Sequence, residues 1–236
     1  MEQDSSRGCE YACSVAAGVG LELQQTEAGL TLTDGTLELR AGFMHLLPRI
    51  KQGALQRELL VKAARIKSVA DPVAIDATAG LGEDSLLLAA AGFHVLMYEC
   101  NPVIAALLRD ALDRAANDPA LAPIAARMEA HHGDSLRALA AAATTAMSPD
   151  LVYLDPMFPG RTKSAAVKKK FQLLHHLEQP CADERAMLEA AFKANPRKIV
   201  VKRPIKGPYL AGVKPSYSIA GKAVRYDVLV PPRKEA

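Results

Sequence analysis

The chain has 236 residues, of which 50% are hydrophobic and 23% are charged, and its formal net charge is +3. This length and composition exclude a disordered or fibrous chain and allow one large domain, or one domain with a small appendage. Its four cysteines show no paired CxxC spacing, so we expect neither a disulfide framework nor a bound metal. The first residues lack a signal-peptide pattern and no apolar run could span a bilayer, so we expect a cytoplasmic protein without membrane contact.

The charge is unevenly distributed along the chain. Residues 1–40 carry seven acidic and two basic side chains, whereas residues 41–236 carry a net charge of +8. A basic excess suits a polyanionic partner, although Lys and Arg also solvate helix surfaces. The basic runs at 49–67, 161–170 and 197–206 are the places where these two interpretations must be weighed.

The first part of the chain predicts a small α+β domain. Leucines alternate with polar residues between residues 20 and 43, with turn formers such as Asp34 and Gly35 between them, which predicts an antiparallel meander. Leucines at helical spacing then predict one helix from Gln52 to Ile66, followed by a boundary near Asp71 and Pro72. We therefore expect domains at residues 1–70 and 71–236.

Beyond Pro72, strands alternate with helices, which predicts an α/β fold with a parallel sheet and right-handed crossovers. The predicted strands are Val73–Ala77, His94–Tyr98, Arg127–His131, Leu151–Leu154 and Lys198–Lys202. The predicted helices are Glu83–Ala91, Pro102–Ala116, Ser135–Thr145, Ser164–Leu177 and Asp183–Lys193. Two later runs, Ser216–Ala220 and Val224–Val230, predict a closing antiparallel hairpin. The expected architecture is a Rossmann-like sheet of seven mostly parallel strands.

The turn after the first strand of this sheet has the composition of a nucleotide site. It reads DATAGLG from Asp76 to Gly82, and Gly80 and Gly82 would let the backbone approach a ligand. Glu99, at the end of the second strand, supplies a carboxylate that can accept hydrogen bonds from ribose hydroxyls. Asp76, Gly80, Gly82 and Glu99 together predict an adenosine-binding site.

Charge at the next helix separates two cofactors that such a site could hold. A pyrophosphate favours bare amides and positive potential, which Glu83 and Asp84 oppose. Both carboxylates are compatible with the ammonium and sulfonium of S-adenosylmethionine, but they are also favourable in any first helical turn. Asp134 could accept from an adenine amino group and equally could cap the following helix. An NAD(P)-dependent oxidoreductase is the alternative.

The run DPMFP, from Asp155 to Pro159, follows the apolar strand 151–154, where ligands of open α/β sheets bind. One interpretation is an ordinary strand-ending turn. The other is a site for methylation of an exocyclic amine on a base, in which Asp155 accepts a hydrogen bond from the amine and Phe158 stacks on the extruded base. Pro156 would stiffen the loop, and positioning would supply most of the rate.

Five segments carry a family resemblance that spans about residue 49 to the end of the chain. They are DATAGLG, the Glu99 strand with NPVIAALL after it, VYLDPMFP, KSAAVKK at 163–169 and VVKRP at 200–204. The sequence resembles the RsmJ-type 16S ribosomal RNA guanine-N2 methyltransferases. The resemblance implies methyl transfer from S-adenosylmethionine to the exocyclic N2 of a guanine in 16S ribosomal RNA or the small ribosomal subunit. The cofactor contacts that it implies are Glu83, Asp84, Glu99, Cys100, Asp134, Ser135 and Asp155.

The basic runs fit an RNA substrate, because phosphate contacts position a nucleic acid without reading its sequence. The predicted RNA-binding residues are Arg49, Lys51, Arg161, Lys163, Lys168, Lys169, Lys202 and Arg203. Solvation explains any single run as well, and Lys202 and Arg203 could instead pair with internal carboxylates. A non-catalytic RNA-binding or ribosome-assembly factor, and an enzyme that acts on adenine or on DNA, are further alternatives. We expect no obligate protein partner.

Overall fold

The computed structural model describes residues 2–67, 69–144, 148–156, 172–174, 177 and 183–232. The predictions for Phe158, Arg161, Lys163, Lys168 and Lys169 lie outside these residues, as does most of the predicted helix at 164–177. Two sheets, one of three strands and one of seven, organise the described part of the chain. No helix in that part is long and apolar enough to cross a membrane.

Helices and strands alternate along most of the chain. In chain order they are α1 (Glu2–Gly18), β1 (Glu22–Thr26), β2 (Gly29–Thr33), β3 (Glu38–Leu39), α2 (Leu47–Ile50), α3 (Gln52–Leu55), α4 (Leu59–Ala64), β4 (Val73–Asp76), α5 (Glu83–Ala90), β5 (His94–Glu99), α6 (Pro102–Ala116), α7 (Ala122–Ala125), β6 (Met128–His132), α8 (Ser135–Ala142), β7 (Leu151–Leu154), α9 (Glu184–Lys193), β8 (Lys198–Pro204), β9 (Tyr217–Ala220) and β10 (Val224–Leu229). Short 3-10 turns lie at Met44–Leu46 and Leu210–Gly212.

The predicted meander is confirmed as the antiparallel sheet β1-β2-β3. Strand β2 is buried along its whole length, and α6 packs against it. Helix α1, which the sequence did not predict, also packs against α6 and buries Ala12 and Ala16. The periodicity of α1 is weak because its buried positions include small alanines rather than large apolar residues.

The prediction of one helix from Gln52 to Ile66 is wrong in its middle. The chain forms two short helices, α3 and α4, because Glu58 takes an extended backbone conformation between them with φ −59° and ψ 129°. The Glu58 carboxylate accepts two hydrogen bonds from the Arg49 guanidinium, at 2.9 and 2.8 Å. This bidentate pair fixes the break, since Arg49 lies on the preceding helix α2.

The predicted seven-stranded sheet is confirmed, with the strand order β6-β5-β4-β7-β8-β10-β9. Strands β6, β5, β4, β7 and β8 pair in parallel, whereas β10 is antiparallel to both of its neighbours. Successive residues of β7 face opposite sides of the sheet: Tyr153 joins the core with α5 and α6, whereas Val152 and Leu154 join the core with α9. Both faces of the sheet are therefore covered, which is why β7 reads as a continuous apolar run.

The first of these cores contains residues from both sides of position 70. Leu32 and Phe43 lie in the same hydrophobic cluster as Leu86 and Met97. The two sheets fall on opposite sides of that position, and the division into domains at 1–70 and 71–236 stays a prediction.

Candidate active site

The carboxyl ends of four neighbouring parallel strands form one edge of the large sheet. Asp76 ends β4, Glu99 ends β5, Asp155 follows β7, and Lys202 lies near the end of β8. The strand order places β4 and β7 at the centre, with β5 and β8 on either side. The fold thus gathers three predicted carboxylates at the edge where open α/β sheets bind ligands.

The glycine turn between β4 and α5 needs its glycines for two different reasons. Gly82 precedes α5 with φ +76°, and a Cβ there would lie 2.6 Å from Leu108 Cδ1. Gly80 also has a positive φ, of +53°, but a Cβ there would meet no atom of the described residues within 4 Å. Gly82 is therefore required by backbone conformation and packing, whereas Gly80 borders open space that a ligand could occupy.

Asp76 is buried beneath this turn and organises it. One carboxylate oxygen accepts from the Thr78 amide at 3.0 Å and the other accepts from the Ser85 hydroxyl at 2.5 Å. Burial raises the pKa of Asp76 to about 7, although both hydrogen bonds lower it. Asp76, a predicted cofactor ligand, therefore shapes the loop instead, with 1% of its surface exposed.

Glu99 is the carboxylate best placed to bind a cofactor. One of its oxygens accepts from the Gly80 amide at 3.0 Å, and the other accepts from the Asn101 amide at 2.8 Å. Burial raises the pKa of Glu99, and the backbone hydrogen bonds act against that rise. Cys100, the next residue, is exposed, and its thiol lies 3.7 Å from the Glu99 carboxylate. Asn101 in turn accepts from the amides that begin α6, so the helix fixes the end of β5.

A partly buried charged network connects α5, β7 and β8. The ammonium of Lys202 lies 2.6 Å from the Asp84 carboxylate and 2.9 Å from the Asp155 carboxylate. The hydroxyl of Tyr153 donates to Asp84 at 2.6 Å, and the Asp155 amide donates to the Thr78 hydroxyl at 2.6 Å. Asp155 is thus held at both its backbone and its side chain, as the positioning of a substrate group requires.

The charges in this network determine its protonation. Burial opposes ionisation of Asp84, but the positive charge of Lys202 and the hydrogen bonds from Lys202 and Tyr153 outweigh it, so the pKa of Asp84 is lowered. Burial likewise opposes the charge on Lys202, but Asp84 and Asp155 raise its pKa well above the ordinary value. Lys202 and Asp84 are therefore a charged pair at neutral pH.

The remaining predicted cofactor ligands lie around this edge. Asp134 accepts from the Leu136 amide at 2.8 Å and caps α8, which begins at Ser135, and its side chain remains 52% exposed. The cap and a ligand contact are therefore compatible. Glu83 lies 3.2 Å from the His45 imidazole. Pro156 is buried directly after Asp155.

The structure corrects the role predicted for Arg203. Its side chain is 1% exposed, donates to Glu184 at 3.0 Å and to the Pro208 carbonyl at 3.0 Å, and is therefore not placed to bind phosphate. Lys202 is ion-paired with two carboxylates rather than exposed to solvent. This agrees with the alternative interpretation, in which Lys202 pairs with internal carboxylates. Arg49 is bound to Glu58 but 42% exposed, and Lys51 is exposed.

Three residues of the site were not predicted: Thr78, Tyr153 and Tyr226. Tyr153 lies in an apolar strand and reads as core, so only the sheet register shows that its hydroxyl reaches Asp84. Burial and the nearby Asp84 carboxylate raise the pKa of Tyr226, which lies opposite Lys202 in the pairing of β10 with β8. The role of Thr78 could have been predicted from the sequence, because a threonine hydroxyl inside a glycine turn can accept a hydrogen bond from a backbone amide.

The groups at this edge fit S-adenosylmethionine. Glu99 and Asp134 can accept from hydroxyl and amino groups, and the space beside Gly80 lies next to the amide that binds Glu99. Glu83 and Asp84 lie in the first turn of α5, where a dinucleotide would need to place its pyrophosphate. The Lys202 ammonium is shared between Asp84 and Asp155, so one positive charge faces two carboxylates and a net negative charge remains. The site is therefore suited to a cationic ligand.

Comparisons with known proteins agree with this geometry. A family model described as a SAM-dependent methyltransferase matches residues 12–231. The chain is 46% identical over 180 residues to ribosomal RNA small subunit methyltransferase J of Pseudomonas paraeruginosa, covering 76% of this chain and 68% of that protein. It is 44% identical over 174 residues to the protein of that name from Neisseria meningitidis, covering 74% and 69%.

A solved structure extends the match to the fold. The SAM-dependent methyltransferase of Neisseria gonorrhoeae superposes with a TM-score of 0.73 at 32% identity, covering 92% of this chain and 85% of that one. The chain is thus similar to these proteins in sequence, and to the solved structure also in fold. The chain belongs to the family of S-adenosylmethionine-dependent methyltransferases that includes the ribosomal RNA small subunit methyltransferases J.

Proposed function

We propose that the protein transfers a methyl group from S-adenosylmethionine to the exocyclic N2 of a guanine in 16S ribosomal RNA, either free or in the small ribosomal subunit. The names of the relatives support ribosomal RNA as the substrate. The observation that carries the proposal is the Asp155 carboxylate, which Lys202 holds from β8 at the same edge as the Glu99 carboxylate. With this function the protein would act in the cytoplasm, where ribosomal subunits are assembled.

The chain's own residues account for cofactor binding. Glu99 would accept from the ribose hydroxyls and Asp134 from the adenine amino group. The acidic start of α5 gives the negative potential that favours a cationic amino-acid moiety. When bound, S-adenosylmethionine supplies an electrophilic methyl group on a sulfonium.

Asp155 would position the nucleophile. Its carboxylate can accept a hydrogen bond from the guanine amino group and hold that nitrogen in line with the methyl carbon. When the amino nitrogen gains the methyl group and the sulfonium becomes a neutral thioether, the proton that the nitrogen loses would pass to the Asp155 carboxylate. Lys202 holds the Asp155 carboxylate in place, since its ammonium lies 2.9 Å from that carboxylate. Proton removal needs no strong base, because the amine becomes acidic only as the methyl arrives.

The RNA contacts rest on residues from several segments. Phe158, two residues after Pro156 in the sequence, would stack on the extruded guanine. The residues that would contact phosphates are Arg161, Lys163, Lys168 and Lys169, together with Arg49 and Lys51 from the basic run at 49–67. Arg203 is left out of this set because the fold buries it.

The test is transfer of tritiated methyl to 16S ribosomal RNA and to 30S particles from cells that lack the protein, followed by nucleoside analysis. We expect N2-methylguanosine, and a loss of about 10²-fold in rate for Asp155→Ala, because the nucleophile is no longer positioned. Asp113→Ala removes an exposed helix carboxylate and serves as the matched control. Calorimetry measures S-adenosylmethionine binding by both variants: retained binding in Asp155→Ala would assign the lost rate to the guanine, whereas lost binding would assign it to the cofactor contact.

Other outcomes would support the alternatives. Methylation of adenine or of DNA would keep the chemistry but contradict the substrate. RNA binding without methyl transfer would favour a non-catalytic factor, and saturable binding of a nicotinamide dinucleotide would favour an oxidoreductase.

A further inference from the structure

A basic pocket lies at the opposite edge of the large sheet from the candidate active site. Its volume is about 390 Å³, and it is lined by Arg65, Ile66, Lys67, Arg197, Lys198, Val230 and Pro231. Lys198 begins β8, whereas Lys202 and the active-site carboxylates lie toward the other end of the strands. Lys198 and Lys202 are four residues apart on β8, which is about 13 Å along the strand, so the pocket does not belong to the methyl-transfer site.

Three separate segments of the chain bring the pocket together. Arg65 and Lys67 follow α4, Arg197 and Lys198 precede or begin β8, and Val230 follows β10. The first two pairs come from two different basic runs of the sequence, 49–67 and 197–206. Solvation of one helix face, which explains a single basic run, does not explain four cations from two runs that line one concave surface.

The fold itself uses two of these cations. The Lys198 ammonium donates to the carbonyls of Arg65 at 2.6 Å and Ala63 at 3.3 Å, which satisfies the carboxyl end of α4. Arg197 binds the Asp150 carboxylate at 2.7 Å. These contacts hold the walls of the pocket in place.

The other two cations are available to a ligand. The side chains of Arg65 and Lys67 are exposed and make no hydrogen bond or ion pair with any residue in the described part of the chain. None of the described residues that line the pocket is acidic. Within the described part of the chain, the Arg65 guanidinium and the Lys67 ammonium therefore give the pocket a positive charge without an acidic partner, which favours an anionic ligand.

An exposed aromatic ring lies beside Lys198, one of the four cations. Tyr217, in the edge strand β9, is 41% exposed, and the Lys198 ammonium lies 5.9 Å from the centre of its ring. Val230 is 49% exposed in the pocket lining. Cations that bind phosphates beside an aromatic ring on which a base can stack are the combination that binds single-stranded nucleic acid.

We propose that this pocket binds the phosphodiester backbone of the RNA substrate at a point remote from the methylated base. The identity of that RNA as ribosomal rests on the proposed function. Arg65 and Lys67 contact phosphates, and Tyr217 stacks on an unpaired base. The contact adds affinity and orientation without reading the base sequence.

The test compares the variant Arg65→Gln/Lys67→Gln with the control Arg109→Gln/Lys193→Gln, which removes two exposed cations from α6 and α9. Fluorescence anisotropy measures binding to a 16S ribosomal RNA transcript at several salt concentrations. We expect the pocket variant to bind about tenfold more weakly and the slope of log K against log salt to fall by about 1 to 2, since two phosphate contacts are lost. Tyr217→Ala should weaken binding about tenfold with the salt slope unchanged.

Kinetics distinguish this site from the catalytic one. The pocket variant should show a raised KM for RNA with an unchanged kcat, and unaltered S-adenosylmethionine binding by calorimetry. Equal RNA affinity and salt slope in the pocket and control variants would overturn the proposal even if the enzyme methylates RNA. Conversely, wild-type protein that binds RNA through this pocket without methyl transfer would contradict the proposed function and leave the pocket in place. Wild-type protein without RNA affinity would overturn the pocket proposal.

Discussion

The ammonium of Lys202 lies 2.9 Å from the carboxylate of Asp155, and the same ammonium lies 2.6 Å from Asp84. One cation thus links the residue proposed to bind the guanine amine with the first turn of α5. The Lys202 side chain is 17% exposed, so solvent screens these pairs less than it would at the surface. Lys202 is therefore a positioning residue for Asp155.

Replacing this cation should damage both stability and the site. In Lys202→Met, two carboxylates lose the positive charge between them, and we expect the free energy of unfolding to fall by about 3 to 5 kcal/mol. The double variant Lys202→Met/Asp84→Asn should recover part of that loss, because it removes one of the two negative charges. Urea unfolding followed by circular dichroism measures both. Equal destabilisation in the single and double variants would contradict the coupling.

Asp76 should make stability depend on pH. Its pKa of about 7 in the folded protein exceeds the ordinary value of 3.8, so between about pH 4 and 7 the folded state binds more protons than the unfolded state. Stability attributable to Asp76 is therefore present at low pH and falls as the pH rises through that window, by an amount on the order of a few kcal/mol.

The variant Asp76→Asn should remove this contribution, since the amide keeps an acceptor for Thr78 and stays neutral. Unfolding free energies measured at pH 5 and pH 8 give the comparison, with the exposed Asp113→Asn as control. If the unfolding free energy of Asp76→Asn depended on pH as that of the wild type does, burial of the Asp76 carboxyl would not be a source of the pH dependence.

The two glycines of the turn should respond differently to alanine. Gly82→Ala combines a positive φ with a Cβ 2.6 Å from Leu108, and we expect about 1 to 3 kcal/mol of destabilisation. Gly80→Ala also has a positive φ, of +53°, but its Cβ meets no atom of the described residues within 4 Å, so it should be destabilised less than Gly82→Ala and should lose affinity for S-adenosylmethionine. Thermal unfolding and calorimetry separate the two effects. Undiminished cofactor affinity in Gly80→Ala would place the ligand elsewhere.

Arg203 should matter for stability and not for RNA. Arg203→Met removes charged hydrogen bonds to Glu184 and Pro208 and should cost about 2 kcal/mol. RNA affinity of the folded variant should equal that of the wild type. Lys51→Gln, an exposed cation, should show the reverse pattern, with lower RNA affinity and little change in unfolding. Weaker RNA binding by folded Arg203→Met would instead support a phosphate contact by this residue.

Local patterns in the sequence were sufficient to predict much of the fold. Continuous apolar runs mark strands that are covered on both faces, and turn residues mark where they end, so the order of the strands after Pro72 was predictable, whereas the short helix α7 was not predicted. Helix α1 was not predictable in the same way, because its buried alanines give little periodicity. The break at Glu58 depends on a contact with Arg49, and a helical pattern does not reveal such a contact.

The sequence by itself determined which chemical groups the site has: the glycine turn, the carboxylate of Glu99, and Asp155 after an apolar strand. These could be predicted because the ends of parallel strands meet at one edge whatever the details of packing. Only the tertiary structure decided what each charge does. Lys202 and Arg203 are neighbours on one strand, yet one ammonium reaches Asp84 and Asp155 while the guanidinium reaches Glu184 on α9, because successive side chains of a strand point to opposite faces. The residue type determines the charge of a side chain, but the geometry of the sheet determines which group that charge pairs with.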